Sequence, residues 1–306
     1  MKHFLLKFSL FFFVFVLFIF SINRWADHYV RNNSFYKFND SVVSIIIGHS
    51  HAEGAYIDSI LPHTVNMAQS GESYFYSYLK LRKLLEANNN IRRVMIEVTN
   101  NNFEKEMDEW TFGEMYLRYR YQKYAHLLHP EELRLLFGKN PLAVIDAVAV
   151  TLKNNLDYKR VVSMPYYNYT DWGGFKKWEH SKIDSFLQVQ NKQKQIKPVV
   201  MAIPIFKESE YNLRFLDSMV ALCRQHQKQI LFLRAPQHPS NRNPFIDSIY
   251  FKTLSARYSA IPLIDFGNME LPDEEYLDFQ HVNFKGAIKV SKRLDSVLHE
   301  QYPLSF

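Results

Sequence analysis

The sequence predicts an α/β protein built on a five-stranded parallel sheet. Short runs of β-branched and other apolar residues recur along the chain, and they alternate with segments whose apolar residues have helical spacing. Strands that alternate with helices pair in parallel and are joined by right-handed crossovers. With 306 residues, of which 47% are hydrophobic, the chain can bury a sizeable core. We therefore expect one main domain around this sheet with a long insertion, or else two domains, together with a separate N-terminal helix.

The predicted strands are short, and each is bounded by polar or turn-forming residues. They cover residues 42–47, 64–67, 94–98, 229–233 and 261–265. Predicted helices cover residues 73–86, 216–225 and 245–258, and a last helix contains residues 288–298 with Asn283 as its N-cap. Five strands suit a flavodoxin-like order, and in such sheets functional residues collect at the carboxyl ends of the strands.

A long insertion, residues 103–205, separates the third and fourth strands and is longer than a compact domain of this kind needs. Residues 115–124 interleave aromatic and basic side chains. This pattern suits sugar stacking or a membrane interface, and equally an amphipathic helix that buries its Tyr and Leu side chains. Residues 141–152 predict a further helix, and residues 166–174 are an aromatic loop. We expect the insertion to be a cap that determines specificity.

The N-terminus predicts a membrane anchor. Two lysines precede an apolar run at residues 8–20, which approaches the ~20 residues of a spanning helix when its flanks are included. The run alone is short enough for a signal peptide, but no clean cleavage site follows it. An uncleaved signal anchor at residues 1–23 is favoured over a cleaved signal, with residues 24–40 as a connector and residues 41–306 as the exported domain.

Charge and cysteine content narrow the range of functions. The net charge of +6 suits an anionic membrane surface or an anionic glycan. Only this charge and the Tyr–Arg runs would support an interpretation as a nucleic-acid binder. An exported domain rarely meets such a ligand. The spacing of histidines and acidic residues matches no zinc motif, and the sequence has no P-loop, so we predict no metal and no cofactor. Cys223 is the only cysteine, which excludes an intrachain disulfide, and we expect it to be a small buried residue.

Ser50 follows the first predicted strand directly, after Gly48 and His49. A serine on a strand-to-helix turn can expose its hydroxyl group and offer its own backbone N–H to a developing oxyanion. The alternative is that Ser50 only caps the helix that follows, a role that serine fills well.

Asp278 and His281 lie near the other end of the chain and are three residues apart, so they can face the same side of a turn. A carboxylate beside an imidazole fixes its tautomer and stabilises the imidazolium that forms when the other ring nitrogen takes a proton from serine. The alternative is an ordinary loop aspartate and a solvated histidine.

Taken together, these two ends resemble the SGNH (GDSL-like) superfamily of serine esterases and acyltransferases. The resemblance covers about residues 41–101 and 229–300 and rests on short blocks in the family's order. The matching positions are Gly48-x-Ser50 and Asp278-x-x-His281-x-Asn283-x-x-Gly286.

The same resemblance implies the rest of an oxyanion hole. Residues 66–71 are similar to the family's second block, whose glycine, here Gly71, donates a backbone N–H. Asn100 or Asn101, after the third strand, would supply the side chain of the third block, although the glycine that usually precedes it is missing. His49 replaces the family's usual aspartate. A histidine directly after the serine, here His51, is similar to the pattern of one branch of the family. That branch includes exported polysaccharide O-acetyltransferases and the D-alanyl-transfer proteins of bacterial envelopes.

The resemblance implies a serine-dependent acyl-ester enzyme, an O-acyltransferase or an esterase, with a Ser50–His281–Asp278 triad. The implied partners are an acyl-ester donor, a glycan acceptor of the cell envelope, the membrane and a membrane-bound acyltransferase. It also implies a single-pass protein of the bacterial cytoplasmic membrane with its domain outside. The alternative is an inactive binding or assembly protein of the envelope, which the substitution at His49 and the altered third block would favour.

Overall fold

The structure is a computed structural model that describes residues 1–32, 36–163, 172–196 and 206–304. Most of the predicted aromatic loop, residues 166–171, lies outside the described residues. The chain divides into two compact units, which we name the sheet unit and the helical unit. The sheet unit comprises Phe38–Trp110 and Trp172–Phe306, and the helical unit comprises Met1–Lys37 and Thr111–Asp171.

Five parallel strands form the sheet, in the order β2-β1-β3-β4-β5. This is the flavodoxin-like order, so the predicted fold class is confirmed. Each strand lies within one or two residues of its predicted position, because β-branched and apolar runs mark buried parallel strands clearly. The strands are β1 Ser44–Ile47, β2 Thr64–Asn66, β3 Arg93–Glu97, β4 Gln229–Arg234 and β5 Leu263–Asp265.

Each of the two units has its own set of described helices. Those of the helical unit are α1 Lys2–Arg31, α5 Glu114–Tyr124, α6 Pro130–Lys139, α7 Pro141–Asn155 and α8 Tyr158–Ser163. Those of the sheet unit are α2 Ser50–Ala55, α3 Tyr74–Ala87, α9 Ile183–Ile196, α10 Glu210–Gln225, α11 Pro244–Tyr258 and α12 Phe284–Gln301. The unit boundary falls within α4, Met107–Phe112.

The core of the sheet unit lies on the central strands. Every residue of β1 and of β3 is buried, as expected for strands covered on both faces. One cluster packs Ile46, Met95 and Leu231 of the sheet with Val290 and Leu294 of α12. Helix α12 also packs against α2, and α3 packs against α10. The carboxyl end of β1 and the start of α2 are therefore held by the core itself.

The helical unit contains the predicted anchor and the aromatic–basic run. Residues 2–31 form one helix whose most apolar window has a mean hydropathy of 2.6, so α1 is long and apolar enough to cross a membrane. Within this unit, Asn155 Nδ2 donates to Asn23 Oδ1 at 2.8 Å, and Trp25 stacks on Tyr158 with ring centroids 5.7 Å apart. The aromatic–basic run forms α5, which buries Leu117, Tyr121 and Tyr124 together with the basic residues Arg120 and Lys123.

Two residues outside the sheet had specific predictions. Cys223 is fully buried, as expected, and burial raises the pKa of its thiol to about 12. For His238, which follows the fourth strand, the sequence leaves two interpretations, a residue that lines the site or a surface histidine of a loop, and the second is wrong. Its ring is buried against Phe279, with centroids 5.3 Å apart, and its Nε2 lies 3.1 Å from Asp273 Oδ1.

Candidate active site

The turn between β1 and α2 presents Ser50 at the carboxyl end of β1, the second strand of the sheet. Ser50 is the first residue of α2, and His49 occupies the N-cap position, so Ser50 is not the cap residue. Its hydroxyl oxygen lies 2.8 Å from Nε2 of His281, which is 231 residues further along the chain. The fold thus brings together the two ends of the sequence that the short motifs singled out.

The loop before α12 orients His281. Its Nδ1 lies 2.9 and 3.0 Å from the two carboxylate oxygens of Asp278. When Nδ1 carries the proton and donates it to Asp278, Nε2 is free to accept the hydroxyl proton of Ser50. The Oδ1 atom of Asp278 also accepts the backbone N–H groups of Gln280 at 2.7 Å and of His281 at 2.9 Å.

The charge state of Asp278 follows from these contacts. Burial alone would raise the pKa of its carboxyl group, but the hydrogen bond and charge of His281 outweigh burial and hold the pKa below its usual range. Asp278 is therefore ionised at neutral pH, as a group that stabilises an imidazolium must be.

Asn283 fixes the loop to the helix that follows. Its side-chain oxygen accepts the N–H groups of Lys285 and Gly286, so it is the N-cap of α12 as predicted. Its Nδ2 donates to the carbonyl oxygen of Glu274 at 2.7 Å, which closes the loop on itself. A Cβ atom at Gly286 would lie 2.5 Å from the carbonyl oxygen of Glu275, so glycine is required for this close approach.

Glu97 lies beneath the serine turn at the end of β3 and is fully buried. Its Oε2 accepts the backbone N–H of His49 at 2.7 Å. A Cβ atom at Gly48 would lie 2.4 Å from both Cβ and Oε2 of Glu97, so the glycine of the motif makes room for this side chain. Burial raises the pKa of Glu97 to about 7.

His49 is a second histidine on the serine hydroxyl. Its Nδ1 lies 3.3 Å from Ser50 Oγ, and its Nε2 lies 3.3 Å from Thr99 Oγ1. Burial, assisted by the neighbouring His281, lowers the pKa of His49 to about 3, so its ring is neutral. The sequence identified His49 only as a departure from the family pattern, and its contact with Ser50 was not predicted.

The loop after β2 carries Gly71, the predicted oxyanion donor, in a left-handed conformation with φ +69°. The backbone N–H of Gln69 donates to the carbonyl oxygen of Gly48 at 3.0 Å, which ties this loop to the serine turn. At its far end lies an ion pair between two fully buried groups, Lys80 Nζ and Glu72 Oε2, 2.8 Å apart. The part played by Gly71 stays a prediction.

Asn100 and Asn101 begin a single helical turn, Asn100–Phe103, directly after β3. Thr99 Oγ1 donates to Oδ1 of Asn101 at 2.5 Å and to Oδ1 of Asn102 at 2.7 Å. Asn102 also accepts the backbone N–H of Thr99, so it caps this turn. The choice between Asn100 and Asn101 as an oxyanion donor stays open.

Trp178 is a neighbour of the site that the sequence did not indicate. Its ring packs edge-on against His281 with centroids 5.2 Å apart, and it covers Gly54, where a Cβ atom would lie 2.0 Å from the indole. Its carbonyl oxygen accepts the backbone N–H of Phe284 at 2.7 Å. Trp178 falls in the predicted insertion but belongs to the sheet unit, and only tertiary structure reveals its contact with His281.

The fold and these contacts define an α/β protein with a hydrogen-bonded Ser–His–Asp set at the carboxyl edge of a parallel sheet. A protein-family model matches residues 133–303, more than half of the chain, so the protein belongs to that family. The match includes Asp278 and His281 but not Ser50.

No curated protein matches the sequence. Among solved structures, the chain is similar to a Bacteroides fragilis protein proposed to be an acylhydrolase, with a TM-score of 0.37 and 10% identity. That similarity covers 85% of this chain and 87% of the other.

Proposed function

We propose that this protein is a serine-dependent acyl-ester enzyme, an O-acyltransferase or an esterase. The observation that carries the proposal is the chain of hydrogen bonds from Ser50 through His281 to Asp278, with 2.8 Å between Ser50 Oγ and His281 Nε2. This is the distance at which a general base can take the proton of a nucleophile.

The proposed reaction has two halves. Ser50 Oγ attacks the ester carbonyl while His281 takes the hydroxyl proton, and Asp278 stabilises the imidazolium. His281 then returns the proton to the departing alcohol, which leaves an acyl group on Ser50. In the second half, a hydroxyl group or water attacks the acyl-serine and gives its proton to His281. The bond between the acyl group and Ser50 Oγ then breaks, His281 returns the proton to Ser50 Oγ, and the new ester or the carboxylic acid leaves. The backbone N–H groups of Ser50 and Gly71, with Asn100 or Asn101, stabilise the oxyanion in both halves.

We further propose that the acceptor is a hydroxyl group of an exported polysaccharide. The apolar helix α1, the resemblance to envelope O-acetyltransferases and the exposed Tyr119 of the aromatic–basic helix α5 support this. In this proposal the protein is anchored in the bacterial cytoplasmic membrane with its sheet unit outside, and a membrane-bound acyltransferase supplies the acyl donor.

Hydrolysis of p-nitrophenyl acetate by the purified full-length protein tests the reaction class. We expect Ser50→Ala to lower the rate by roughly 10³-fold or more, because the nucleophile is lost. Ser255→Ala removes an exposed hydroxyl group on α11 of the same unit and should leave the rate unchanged. Equal rates for the wild type and Ser50→Ala would contradict the proposal.

A chromosomal Ser50→Ala strain tests the acceptor. The proposal predicts that O-acylation of the exported glycan falls while the protein is present at its normal level. Unchanged glycan acylation, in a strain whose purified wild-type protein hydrolyses esters, would overturn the acceptor and leave the reaction class intact.

An inactive binding or assembly protein is the alternative. It is favoured by His49 in place of the family's aspartate and by the missing glycine of the third block. In that case Ser50→Ala leaves both ester hydrolysis and glycan acylation unchanged.

A further inference from the structure

Three metal-ligating side chains converge beneath the serine turn. Oε1 of Glu97 lies 3.4 Å from Nε2 of His49 and 3.8 Å from Nδ1 of His51. The possible donor atoms of the three residues all lie within 4.8 Å of one another. Each residue is at least 97% buried, so this is a built internal cluster rather than a solvated surface group.

The cluster contains polar atoms that the described part of the chain leaves unpaired. Both ring nitrogens of His51 and Oε1 of Glu97 are buried and have no hydrogen-bond partner there. Gln280 is a further polar neighbour of His51. Unpaired polar atoms in a protein interior are costly, so such a group calls for an occupant.

Glu97 also has no basic side chain as a partner. Among the described residues, its ion-pair contacts are only with His49 and His51. The nearby Arg234 is already paired with Asp247, 2.6 Å away, and with Asp265. A cation held between the carboxylate and the two imidazoles would offset the buried charge and fill the unpaired positions.

We propose that Glu97, His49 and His51 bind a divalent transition metal ion of the zinc type. Two imidazoles and one carboxylate are a common set of three protein ligands for such an ion, with a fourth position left open. Tetrahedral donors at ~2.0–2.1 Å from zinc are about 3.3 Å apart. The distances of 3.4 and 3.8 Å therefore need only a small contraction.

The metal would also position Ser50. Thr99 Oγ1, whose proton is donated to an asparagine oxygen, lies 3.3 Å from Nε2 of His49, so a metal ion at Nε2 would replace a proton that this nitrogen can otherwise donate to Thr99. Nδ1 of His49 then carries the proton and donates it to Ser50 Oγ, 3.3 Å away. A metal fixes the tautomer of its histidine ligand in this way. His49 is thus a positioning residue, and His281 remains the base.

Metal content of the full-length protein tests the site without any substrate. The protein is purified in detergent without a histidine tag, loaded with zinc sulfate, dialysed, and measured by inductively coupled plasma mass spectrometry. We expect about one Zn²⁺ per chain for the wild type, and loss of the zinc on dialysis for His51→Ala and Glu97→Gln, since each removes a ligand.

The matched control is the other His–Glu cluster of the described residues, which comprises His129, Glu131 and Glu132. His129→Ala should keep the zinc. A wild-type protein that binds no zinc would overturn the proposal. So would a His51→Ala variant that keeps the zinc together with a His129→Ala variant that loses it. If a variant fails to fold, as judged by circular dichroism, binding of Co²⁺ to the wild type decides, because its visible spectrum reports a tetrahedral nitrogen–oxygen site. Zinc content and ester hydrolysis are separate readouts, and a wild-type protein that binds no zinc would leave the contact between Ser50 and His281 as evidence for the reaction class, so the two proposals fail separately.

Discussion

Two histidines contact the same hydroxyl group, and burial separates their roles. His49 is 1% exposed and neutral because burial lowers its pKa, so it can only donate or accept a hydrogen bond at Ser50. His281 is partly exposed and lies against the ionised carboxylate of Asp278, which stabilises a positive charge on its ring. In the proposed reaction, the base is therefore the histidine that is distant in sequence, and not the one adjacent to the serine.

Asp278→Asn tests that reasoning at one residue. The amide keeps an oxygen for the N–H groups of Gln280 and His281, but it no longer stabilises the imidazolium or fixes the required tautomer. We expect the rate of ester hydrolysis to fall by roughly 10³–10⁴-fold with little loss of stability. Asp273→Asn is the matched control, because Asp273 contacts another buried histidine, His238. Equal effects of the two variants would contradict the assignment.

At the scale of elements, the residues at the start of α12 both stabilise the fold and hold the loop of the candidate active site. Asn283 caps the helix and also donates to the carbonyl oxygens of Glu274 and Tyr276, which hold the loop that carries His281. The serine turn has a comparable support in Glu97, which accepts the N–H of His49. Both halves of the Ser50–His281 pair are thus fixed by the ends of elements packed in the core.

Asn283→Ala should lower the free energy of unfolding by about 1–2 kcal/mol, the usual cost of losing an N-cap. It should also slow ester hydrolysis, because the loop with Asp278 and His281 loses its anchor. Asn243→Ala removes the N-cap of α11, which accepts two backbone N–H groups, and should cost similar stability with an unchanged rate. Urea denaturation and the ester assay measure the two effects. A normal rate for Asn283→Ala would show that the loop needs no such anchor.

Strand and helix positions were predictable from the sequence, and some of the side-chain contacts of the site were not. The runs at β1 and β3 are apolar and β-branched, so their ends were predicted within one or two residues. The pairing of Ser50 with His281 followed from short motifs at strand and helix ends. Glu97 and Trp178 carry no local signal, because a buried carboxylate and an aromatic ring acquire their contacts only when distant segments meet.

At the scale of the whole molecule, the chain consists of a sheet unit and a helical unit that includes α1. The last part of α1, with Ala26 and Val30 buried, packs within the helical unit, whereas residues 2–18 expose their apolar side chains. A long apolar helix of this kind is stable in a lipid bilayer, because every backbone group inside it is hydrogen-bonded.

Alkaline carbonate extraction of membranes tests the anchor. We expect the full-length chain to remain in the membrane pellet, because α1 has the length and hydropathy of a spanning helix. A variant that lacks residues 2–22 keeps Asn23 and Trp25 and should be released. Extraction of the full-length chain into the soluble fraction would contradict the prediction.

The central claim, that Ser50 is an activated nucleophile, is tested most directly by a fluorophosphonate probe on the folded full-length protein. We predict labelling of the peptide that contains Ser50, no labelling of Ser50→Ala, and a loss of roughly 10³-fold or more in rate for His281→Ala. Ser255→Ala and His238→Ala should be labelled like the wild type. A folded wild-type protein that is not labelled, or Ser50→Ala labelled as fast as the wild type, would contradict the account.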